Sequence, residues 1–315
     1  MFKQIFFLPF FLVIPFLQLY SQDQSQIDWK PLGHVKPRST YEIKSSNWLI
    51  GCETLDRDYA IYDVYKDHLV PLGIKKLRLQ GGWAKTEKVK GVYDFAWLDH
   101  IIDDALSKGL IPWVQTSYGN PIYTGGGGAN LSAGLPVSTE ALEAWDRWVA
   151  AMVTRYKTRV TEWEVWNEPN NTKENTPAMI ADLTIRTIDI IKKIQPKSKI
   201  SGLALGHMDV AYVAEFIKII SEKGKLHLLD NITYHDYNKN PDKHFPEVAK
   251  LKEILSRYEP RLRLRQGENG APSKGGMGGA IGDYDWTELS QAKWDLRRML
   301  GDLGHDIETS LFTII

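Results

Sequence analysis

Residues 139–170 read TEALEAWDRWVAAMVTRYKTRVTEWEVWNEPN, and this stretch contains one complete unit of a repeating pattern. Its first part, Thr139 to Tyr156, mixes apolar and polar residues as an amphipathic helix does. After a short polar connection, Thr161 to Val165 is a short segment typical of a strand. Pro169 then stops the extended pattern. The stretch therefore predicts a helix followed by a strand that ends beside an acidic residue.

The same alternation of short strands and longer helices repeats along most of the chain. Eight strands are predicted, at Trp48 to Glu53, Lys75 to Gln80, Ile111 to Ser117, Thr161 to Val165, Lys199 to Leu205, Asn231 to His235, Leu262 to Gln266 and Glu308 to Ile315. Helices are predicted near Asp58 to Val70, Phe95 to Ser107, Thr139 to Tyr156, Pro177 to Ile194, Val210 to Lys223, Pro246 to Tyr258 and Thr287 to Leu303. Because eight strand–helix units close a parallel sheet, we expect an α/β fold of the (β/α)8 barrel type.

A doubly wound open sheet is the main alternative to a barrel. Such a sheet usually carries a glycine-rich phosphate turn after its first strand, and the stretch Ile50-Gly51-Cys52-Glu53-Thr54 has none. The sequence also stops within or just after the eighth predicted strand, with no helix after it. We therefore expect a barrel truncated at or after strand eight, with atypical closure as the alternative.

The N-terminal residues have the pattern of a cleavable secretory signal peptide. An apolar run from Ile5 to Leu17 follows Lys3, and small polar residues begin at Ser21. The run is shorter than the roughly 20 residues that a membrane-spanning helix needs, which leaves an uncleaved anchor as the minor alternative. We expect residues 1–21 to be the signal peptide, 22–47 a lead segment and 48–315 the barrel. The mature protein is then secreted or periplasmic, without stable membrane insertion.

Composition excludes several classes of partner and cofactor. The 39 Lys and Arg residues balance 39 Asp and Glu residues, and no long basic run is present, which argues against binding to nucleic acid. The only cysteine, Cys52, excludes an intrachain disulfide and a cysteine cage for zinc, and we interpret it as a buried apolar residue. The motifs H-E-x-x-H and G-x-S-x-G are also absent. We expect no metal and no cofactor.

Two carboxylates follow or end predicted strands on the same edge of the barrel. Glu168 comes after the fourth strand in Trp166-Asn167-Glu168-Pro169, and Glu268 comes after the seventh in Gln266-Gly267-Glu268-Asn269. Side chains at the carboxyl ends of barrel strands converge on one pocket. Hydrolysis of a glycosidic bond needs two such groups, one to protonate the leaving oxygen and one to act as nucleophile or base. Each glutamate alone is also compatible with a salt bridge at the rim.

The pattern resembles the retaining glycoside hydrolases of clan A, and in detail family 39, which includes β-xylosidases and α-L-iduronidases. In that clan an Asn-Glu pair ends strand four and a glutamate ends strand seven. Two further stretches are similar to the family, Gly91 to Asp99 (GVYDFAWLD) and Ile232 to Tyr237 (ITYHDY). The resemblance implies that Glu168 is the acid/base, that Glu268 is the nucleophile and that bond cleavage retains the anomeric configuration.

The neighbouring residues are assigned supporting roles. Arg78, at the end of strand two, is expected to lie near Glu268 and keep it ionised, with a salt bridge in the barrel wall as the alternative. We expect the charge of Glu268 to keep Glu168 protonated, as an acid must be. Asn167 is expected to hold the sugar 2-hydroxyl.

The family-like stretch that ends strand six supplies two more candidates. Tyr237 is expected to hydrogen-bond Glu268. His235 is expected to bind a hydroxyl or the acid/base, with a satisfied buried histidine as the alternative. Aromatic rings that can stack on a sugar are expected at Trp83, Tyr118 and Trp166.

Two long glycine-containing loops, Tyr118 to Val137 and Asn269 to Asp285, are expected to be flexible parts of the rim. They can shape either a pocket or a groove. Three functions therefore remain open at this stage: a retaining glycoside hydrolase acting on oligo- or polysaccharides, an endo-glycanase of another clan A family, and a barrel that binds glycan without cleaving it.

Overall fold

Eight parallel strands hydrogen-bond in chain order, and the eighth pairs with the first to close a barrel. The computed structural model describes Lys30 and residues 33–314, and the barrel lies in a compact unit that begins at Pro37. The predicted signal peptide, residues 1–21, lies outside the described residues. No helix within the described part of the chain is long and apolar enough to cross a bilayer.

The strands are β1 (Trp48–Gly51), β2 (Lys76–Gln80), β3 (Ile111–Thr116), β4 (Glu162–Val165), β5 (Lys199–Leu205), β6 (Asn231–His235), β7 (Arg263–Asn269) and β8 (Glu308–Leu311). The helices are α1 (Tyr62–Tyr65), α2 (Trp83–Thr86), α3 (Ala96–Ser107), α4 (Thr139–Tyr156), α5 (Pro177–Ile194), α6 (Val210–Glu222), α7 (Phe245–Tyr258) and α8 (Glu288–Gly304). At least one helix follows each of the first seven strands. The predicted (β/α)8 barrel is confirmed.

Local sequence explains where the outer helices begin and end. Thr176 caps α5 because its hydroxyl accepts a hydrogen bond from the backbone N–H of Met179, and Pro177 occupies the first helical position. Gly224, with φ +70°, takes the left-handed conformation that ends α6. Along α4, the apolar side chains recur at helical spacing and are fully buried against the barrel; they include Trp145, Trp148, Val149 and Met152.

The structure differs from several of the predicted elements. The helix predicted over residues 58–70 is reduced to α1 and a 3₁₀ turn at Lys66–His68, and the left-handed backbone of Asp58 (φ +60°) excludes that residue from a helix. Helix α2 was not predicted. Strand β8 ends at Leu311 rather than at residue 315, yet it pairs with both β1 and β7. The described barrel is therefore closed.

The barrel interior is filled with polar and charged side chains in layers. Because strand side chains alternate between faces, Lys76, Arg78 and Gln80 of β2 share one face. Lys76 Nζ lies 3.0 Å from a carboxylate oxygen of Glu162 at the amino-terminal end of the barrel. Arg78 lies one layer higher, and Gln80 lines the cavity at the carboxyl-terminal end. Polar and charged side chains therefore continue along the barrel axis to its carboxyl-terminal end, where the site lies.

Candidate active site

Glu168 is turned into the barrel by an unusual backbone conformation. Strand β4 ends at Val165, three residues before the glutamate, so Pro169 does not stop the strand as predicted; it begins a 3₁₀ turn, Pro169–Asn171. Glu168 itself has φ +49° and ψ +52°, a left-handed conformation that costs a non-glycine residue energy. Its backbone N–H donates to the carbonyl of Ala204 at 2.7 Å, which holds this conformation in place.

Glu268 is positioned by a bulge within β7. The strand extends through Asn269, past the predicted end at Gln266, and its pairing with β6 shifts by one residue so that Glu268 lies opposite His235. The residue that absorbs the shift is Gly267. A Cβ atom there would lie 2.3 Å from Cγ2 of Thr233, so only glycine fits. The bulge re-aims the glutamate side chain toward the barrel axis.

The two carboxyl groups meet beside His235. Its Nδ1 atom lies 2.8 Å from Oε1 of Glu168 and 3.7 Å from Oε2 of Glu268. One oxygen of each carboxyl and one nitrogen of the imidazole all lie within 4.8 Å of one another. A gap of this size is close to the roughly 5 Å that separates the two carboxyls of retaining glycosidases and below the roughly 6.5 to 9.5 Å of inverting ones.

Hydrogen bonds fix both carboxyl groups. Asn171 Nδ2 donates to Oε2 of Glu168 at 2.7 Å. The hydroxyl of Tyr237 donates to Oε1 of Glu268 at 2.8 Å, and Arg78 Nη1 donates to Oε2 of Glu268 at 3.1 Å. Tyr237 and Arg78 therefore hydrogen-bond Glu268, and His235 contacts Glu168.

Arg78 connects four side chains of the site by hydrogen bonds. It is fully buried and donates to four side chains: Glu53 at 3.0 Å, Glu164 at 2.8 Å, Glu268 at 3.1 Å and Asn167 at 2.8 Å. A guanidinium group can serve this many acceptors because its five N–H bonds diverge in one plane. Arg78 therefore ties the end of β1 to the ends of β4 and β7.

Asn167 is held with one face toward the cavity. Its Oδ1 accepts from Arg78 and, at 3.1 Å, from Gln115 Nε2. Its Nδ2 donates to the hydroxyl of Tyr118 at 2.7 Å. An amide nitrogen carries two N–H bonds, so one donor remains for a ligand in the cavity that Asn167 lines.

Burial, rather than the neighbouring carboxylate, raises the pKa of Glu168. Loss of solvent disfavours the charged form, and the opposing attraction of Arg78 only partly offsets this effect. Repulsion by Glu268, which we expected to keep Glu168 protonated, is not among the main causes. Burial also lowers the pKa of His235 to about 4, so its imidazole is neutral near pH 7.

A third carboxyl, Glu53, belongs to the site and was missed. It follows β1, is 1% exposed and accepts from Arg78, while its Oε2 atom has no partner among the described residues. Gly51 makes room for it, since a Cβ at that position would lie 2.0 Å from Oε2. Burial raises the pKa of Glu53 to about 8. An acidic residue at the end of the predicted first strand, Trp48 to Glu53, was the available signal.

These groups surround a cavity of about 320 Å³ at the carboxyl-terminal end of the barrel, within the range of ligand pockets. Its walls contain Glu53, Asn167, Glu168 and Glu268. Arg57 was also missed: it lines the cavity, donates to Gln80 Oε1 at 2.8 Å and lies over the ring of Tyr118. The predicted loop after β3 supplies Asn130 and Leu131 to the wall.

The predicted aromatic platforms are wrong for two of three residues. Trp83 and Trp166 are 0% and 1% exposed, and neither lines the cavity. Helix α2 points Trp83 at Trp145 and Trp148 of α4. Both rings pack against α4 instead, and Trp166 lies against Trp145.

Tyr118 does line the cavity, but its ring is not free for stacking. Arg57 covers the ring at 5.1 Å, and Trp166 packs edge to face with it. Its hydroxyl group accepts hydrogen bonds from Gln80 Nε2 and Asn167 Nδ2.

Glu168, His235 and Glu268 present one possible metal-ligand atom each within 4.8 Å. The donor chemistry disfavours a cation at this point. Oε2 of Glu268 already accepts from the positively charged Arg78, which would repel a metal ion.

Comparison with known proteins gives a consistent result. The sequence profile of Glycosyl hydrolases family 39 matches residues 71–263, well over half of the chain. Similar solved structures include a monomeric β-xylosidase from Caulobacter crescentus CB15, with 22% identity and a TM-score of 0.65 over 85% of this chain and 59% of that one. A family 39 glycoside hydrolase from Bacteroides cellulosilyticus WH2 has 18% identity and a TM-score of 0.63 over 84% of this chain and 56% of that one. The chain therefore spans a little over half the length of these structures.

Proposed function

Because the chain belongs to Glycosyl hydrolases family 39, we propose that it hydrolyses O-glycosidic bonds of oligo- or polysaccharides with retention of anomeric configuration. The observation that carries this proposal is the approach of Glu168 and Glu268 to within 4.8 Å beside His235. That gap accommodates one anomeric carbon between the two acids and leaves no room for the separate water that an inverting enzyme needs.

In the first step, Glu268 attacks the anomeric carbon while Glu168 donates its proton to the leaving oxygen. The glycosidic C–O bond breaks, the leaving group departs as a neutral alcohol, and a glycosyl ester forms on Glu268. In the second step, Glu168 removes a proton from water, which attacks the same carbon from the face that the leaving group vacated. The ester bond breaks, Glu268 is regenerated as a carboxylate and Glu168 is protonated again.

The environment of each carboxyl supports this division of roles. Burial raises the pKa of Glu168, which favours the protonated form that an acid needs. Glu268 accepts hydrogen bonds from Arg78 and Tyr237, which fix the orientation of its carboxyl group for attack.

His235 keeps contact with Glu168 in both proton states. Its imidazole is neutral, so Nδ1 accepts a hydrogen bond when Glu168 is protonated and donates one when Glu168 is ionised. Asn167 has an amide N–H left over for the sugar 2-hydroxyl, an interaction that strengthens as positive charge develops at the anomeric carbon.

A panel of aryl glycosides tests the proposal. The hydrolysed substrate is followed by proton NMR, and the first anomer formed must have the configuration of the substrate. Formation of the opposite anomer would exclude the double displacement. Binding of sugars without turnover by a folded full-length protein would favour a glycan-binding barrel instead.

A further inference from the structure

Tyr237, whose hydroxyl donates to Glu268, lies beyond the end of β6. The pairing of β6 with β7 shifts after Tyr234, and the backbone N–H of Asp236 reaches the carbonyl of Glu268 only at 3.4 Å. A hydrogen bond of that length is longer than usual and therefore weak. The sheet alone thus holds the backbone around Tyr237 loosely.

Both neighbours of Tyr237 are bound to helix α8. Asp236 Oδ2 accepts from Arg298 Nη2 at 2.8 Å, and the backbone carbonyl of Asn238 accepts from the indole N–H of Trp294 at 2.9 Å. Asn238 Nδ2 also donates to Oδ1 of Asp236 at 2.6 Å, so both carboxylate oxygens of Asp236 have a partner. Since Trp294 and Arg298 are four residues apart, they lie on one face of α8. This face therefore holds the chain on each side of Tyr237.

We propose that Arg298 and Trp294 are positioning residues, which hold Tyr237 in the orientation that lets its hydroxyl bind Glu268. Neither residue lines the cavity that contains Glu268, so they act through Tyr237 rather than on a substrate. The inference rests on the proposed glycosidase function, in which Glu268 is the nucleophile, and extends the machinery of that function to a helix on the outside of the barrel.

Arg298 is itself held in a buried cluster of polar and charged groups. It is fully buried, its Nη1 atom lies 3.0 Å from His244 Nε2, and its guanidinium group lies 5.1 Å from the centre of the Trp294 ring. His244 Nε2 in turn lies 3.3 Å from Asp302 Oδ1. Because an unpaired charge in the interior is unfavourable, Arg298 and Asp236 stay paired in the folded protein. A side chain that is fixed in this way can fix the residues that it binds.

The proposed benefit to the reaction is one of orientation. The hydroxyl of Tyr237 lies 2.8 Å from Oε1 of Glu268, and a displacement of about 1 Å would take it beyond hydrogen-bond distance. Misplacement by this amount can lower an enzymatic rate by about a hundredfold. If Arg298 acts only through Tyr237, its removal cannot cost more than removal of the Tyr237 hydroxyl itself.

A double-mutant cycle tests whether Arg298 acts through Tyr237. Arg298→Met is expected to lower kcat/KM for an activated aryl glycoside by about tenfold in the otherwise unaltered protein, and by less than about threefold in a Tyr237→Phe background. The rates are measured at a temperature at which each variant is folded, as shown by its thermal unfolding curve. Equal losses in the two backgrounds would overturn the inference, and so would the absence of a loss in the first.

Asp302→Asn is the matched control for loss of stability. It alters the contact with His244 in the same buried cluster but not the hydrogen bonds of residues 236–238. It is expected to lower the unfolding temperature while kcat/KM changes by less than about threefold. A loss of activity in Asp302→Asn equal to that in Arg298→Met would show that the cluster acts through stability, which would overturn the positioning role.

Trp294→Phe is the second variant, and it decides the question if Arg298→Met does not fold. It keeps an aromatic ring in α8 and removes the indole N–H that binds Asn238. Loss of this one neutral hydrogen bond is expected to lower kcat/KM by about threefold, and the loss should disappear in the Tyr237→Phe background. No loss, or the same loss in both backgrounds, would overturn the inference.

Fluorine NMR separates this inference from the proposed function. In protein labelled with fluorotyrosine, the resonance of Tyr237 is identified by its absence in Tyr237→Phe, and Glu268→Ala gives its position when the bond to Glu268 is lost. Arg298→Met should move the resonance toward that position, and Asp302→Asn should leave it in place. An unmoved resonance in Arg298→Met would overturn the inference even if glycosides are cleaved. If the unaltered protein hydrolyses no glycoside, the proposed hydrolase fails, and the resonance still decides the positioning role.

Discussion

Glu53 and Glu268 accept hydrogen bonds from the same nitrogen of Arg78, at 3.0 and 3.1 Å. Glu164 binds the same guanidinium group, so three buried carboxyls share one positive charge. A buried site does not tolerate two uncompensated negative charges, and one carboxyl must keep a proton. Glu53 has the raised pKa and an oxygen without a partner among the described residues, which identifies it as the protonated member.

The first prediction concerns how stability depends on pH. The pKa of Glu53 is raised from its ordinary value of 4.5 to about 8 in the folded protein, so the folded state holds one more proton than the unfolded state between these values. The stability that this group contributes is complete below pH 4.5 and is lost as pH rises toward 8. Glu53→Gln cannot ionise, and its free energy of unfolding should fall less between pH 5 and pH 8. Urea unfolding at both pH values measures the difference.

Glu253→Gln is the control for this experiment, since Glu253 is an exposed residue of α7. It should keep the pH dependence of the unaltered protein. If Glu53→Gln shows the same slope as this control, Glu53 is already ionised at pH 5 and the proton assignment is wrong.

Removal of Glu268, the proposed nucleophile, is expected to stop turnover. Glu268→Ala leaves no group to form the glycosyl ester, and kcat/KM for an activated aryl glycoside should fall by at least about 10⁴-fold. Glu253→Ala should retain activity. Added azide is expected to restore turnover in Glu268→Ala by attacking the anomeric carbon directly, and NMR should show a glycosyl azide of inverted configuration. A Glu268→Ala protein that keeps normal activity would exclude the proposed nucleophile.

The fall in rate on removal of Glu168, the proposed acid, should depend on the leaving group. Glu168→Ala is expected to lower kcat/KM by about 10²- to 10⁴-fold on substrates with poor leaving groups and much less on activated aryl glycosides, which need little protonation. A series of aryl glycosides with leaving groups of graded pKa measures this dependence. The same loss at every leaving-group pKa would argue that Glu168 has another role.

The hydrogen bond from Tyr237 to Glu268 is expected to contribute to the rate. Tyr237→Phe removes one hydrogen bond to a charged group, worth about 1.5 to 3 kcal/mol, so kcat/KM should fall by about ten- to a hundredfold. Tyr258→Phe alters an exposed tyrosine at the end of α7 and is the matched control. Unchanged kinetics in Tyr237→Phe would show that Arg78 alone holds Glu268 in place.

The sequence predicts the eight strands and the convergence of Glu168 and Glu268 because both depend on local signals. Most strands are flanked by helices of clear periodicity, and side chains at the carboxyl ends of barrel strands converge on one pocket. The supporting contacts of Arg78 also follow from this geometry, since its position at the end of β2 brings it to the barrel axis.

Other parts of the site depend on contacts between distant segments and could not be predicted. The bulge at Gly267 is a property of the pairing between β6 and β7, and neither strand reveals it alone. Trp83 was expected to face the cavity, but the unpredicted α2 turns it toward α4. The raised pKa of Glu53 results mainly from its burial and partly from the charge of Glu268, which lies more than two hundred residues away in the sequence.

The absence of a side chain at Gly267 has a stereochemical consequence. Any larger residue would collide with Cγ2 of Thr233, so the register shift that brings Glu268 opposite His235 requires glycine at this position. In the proposed double displacement, the anomeric configuration of the released sugar therefore depends on a position that carries no side chain.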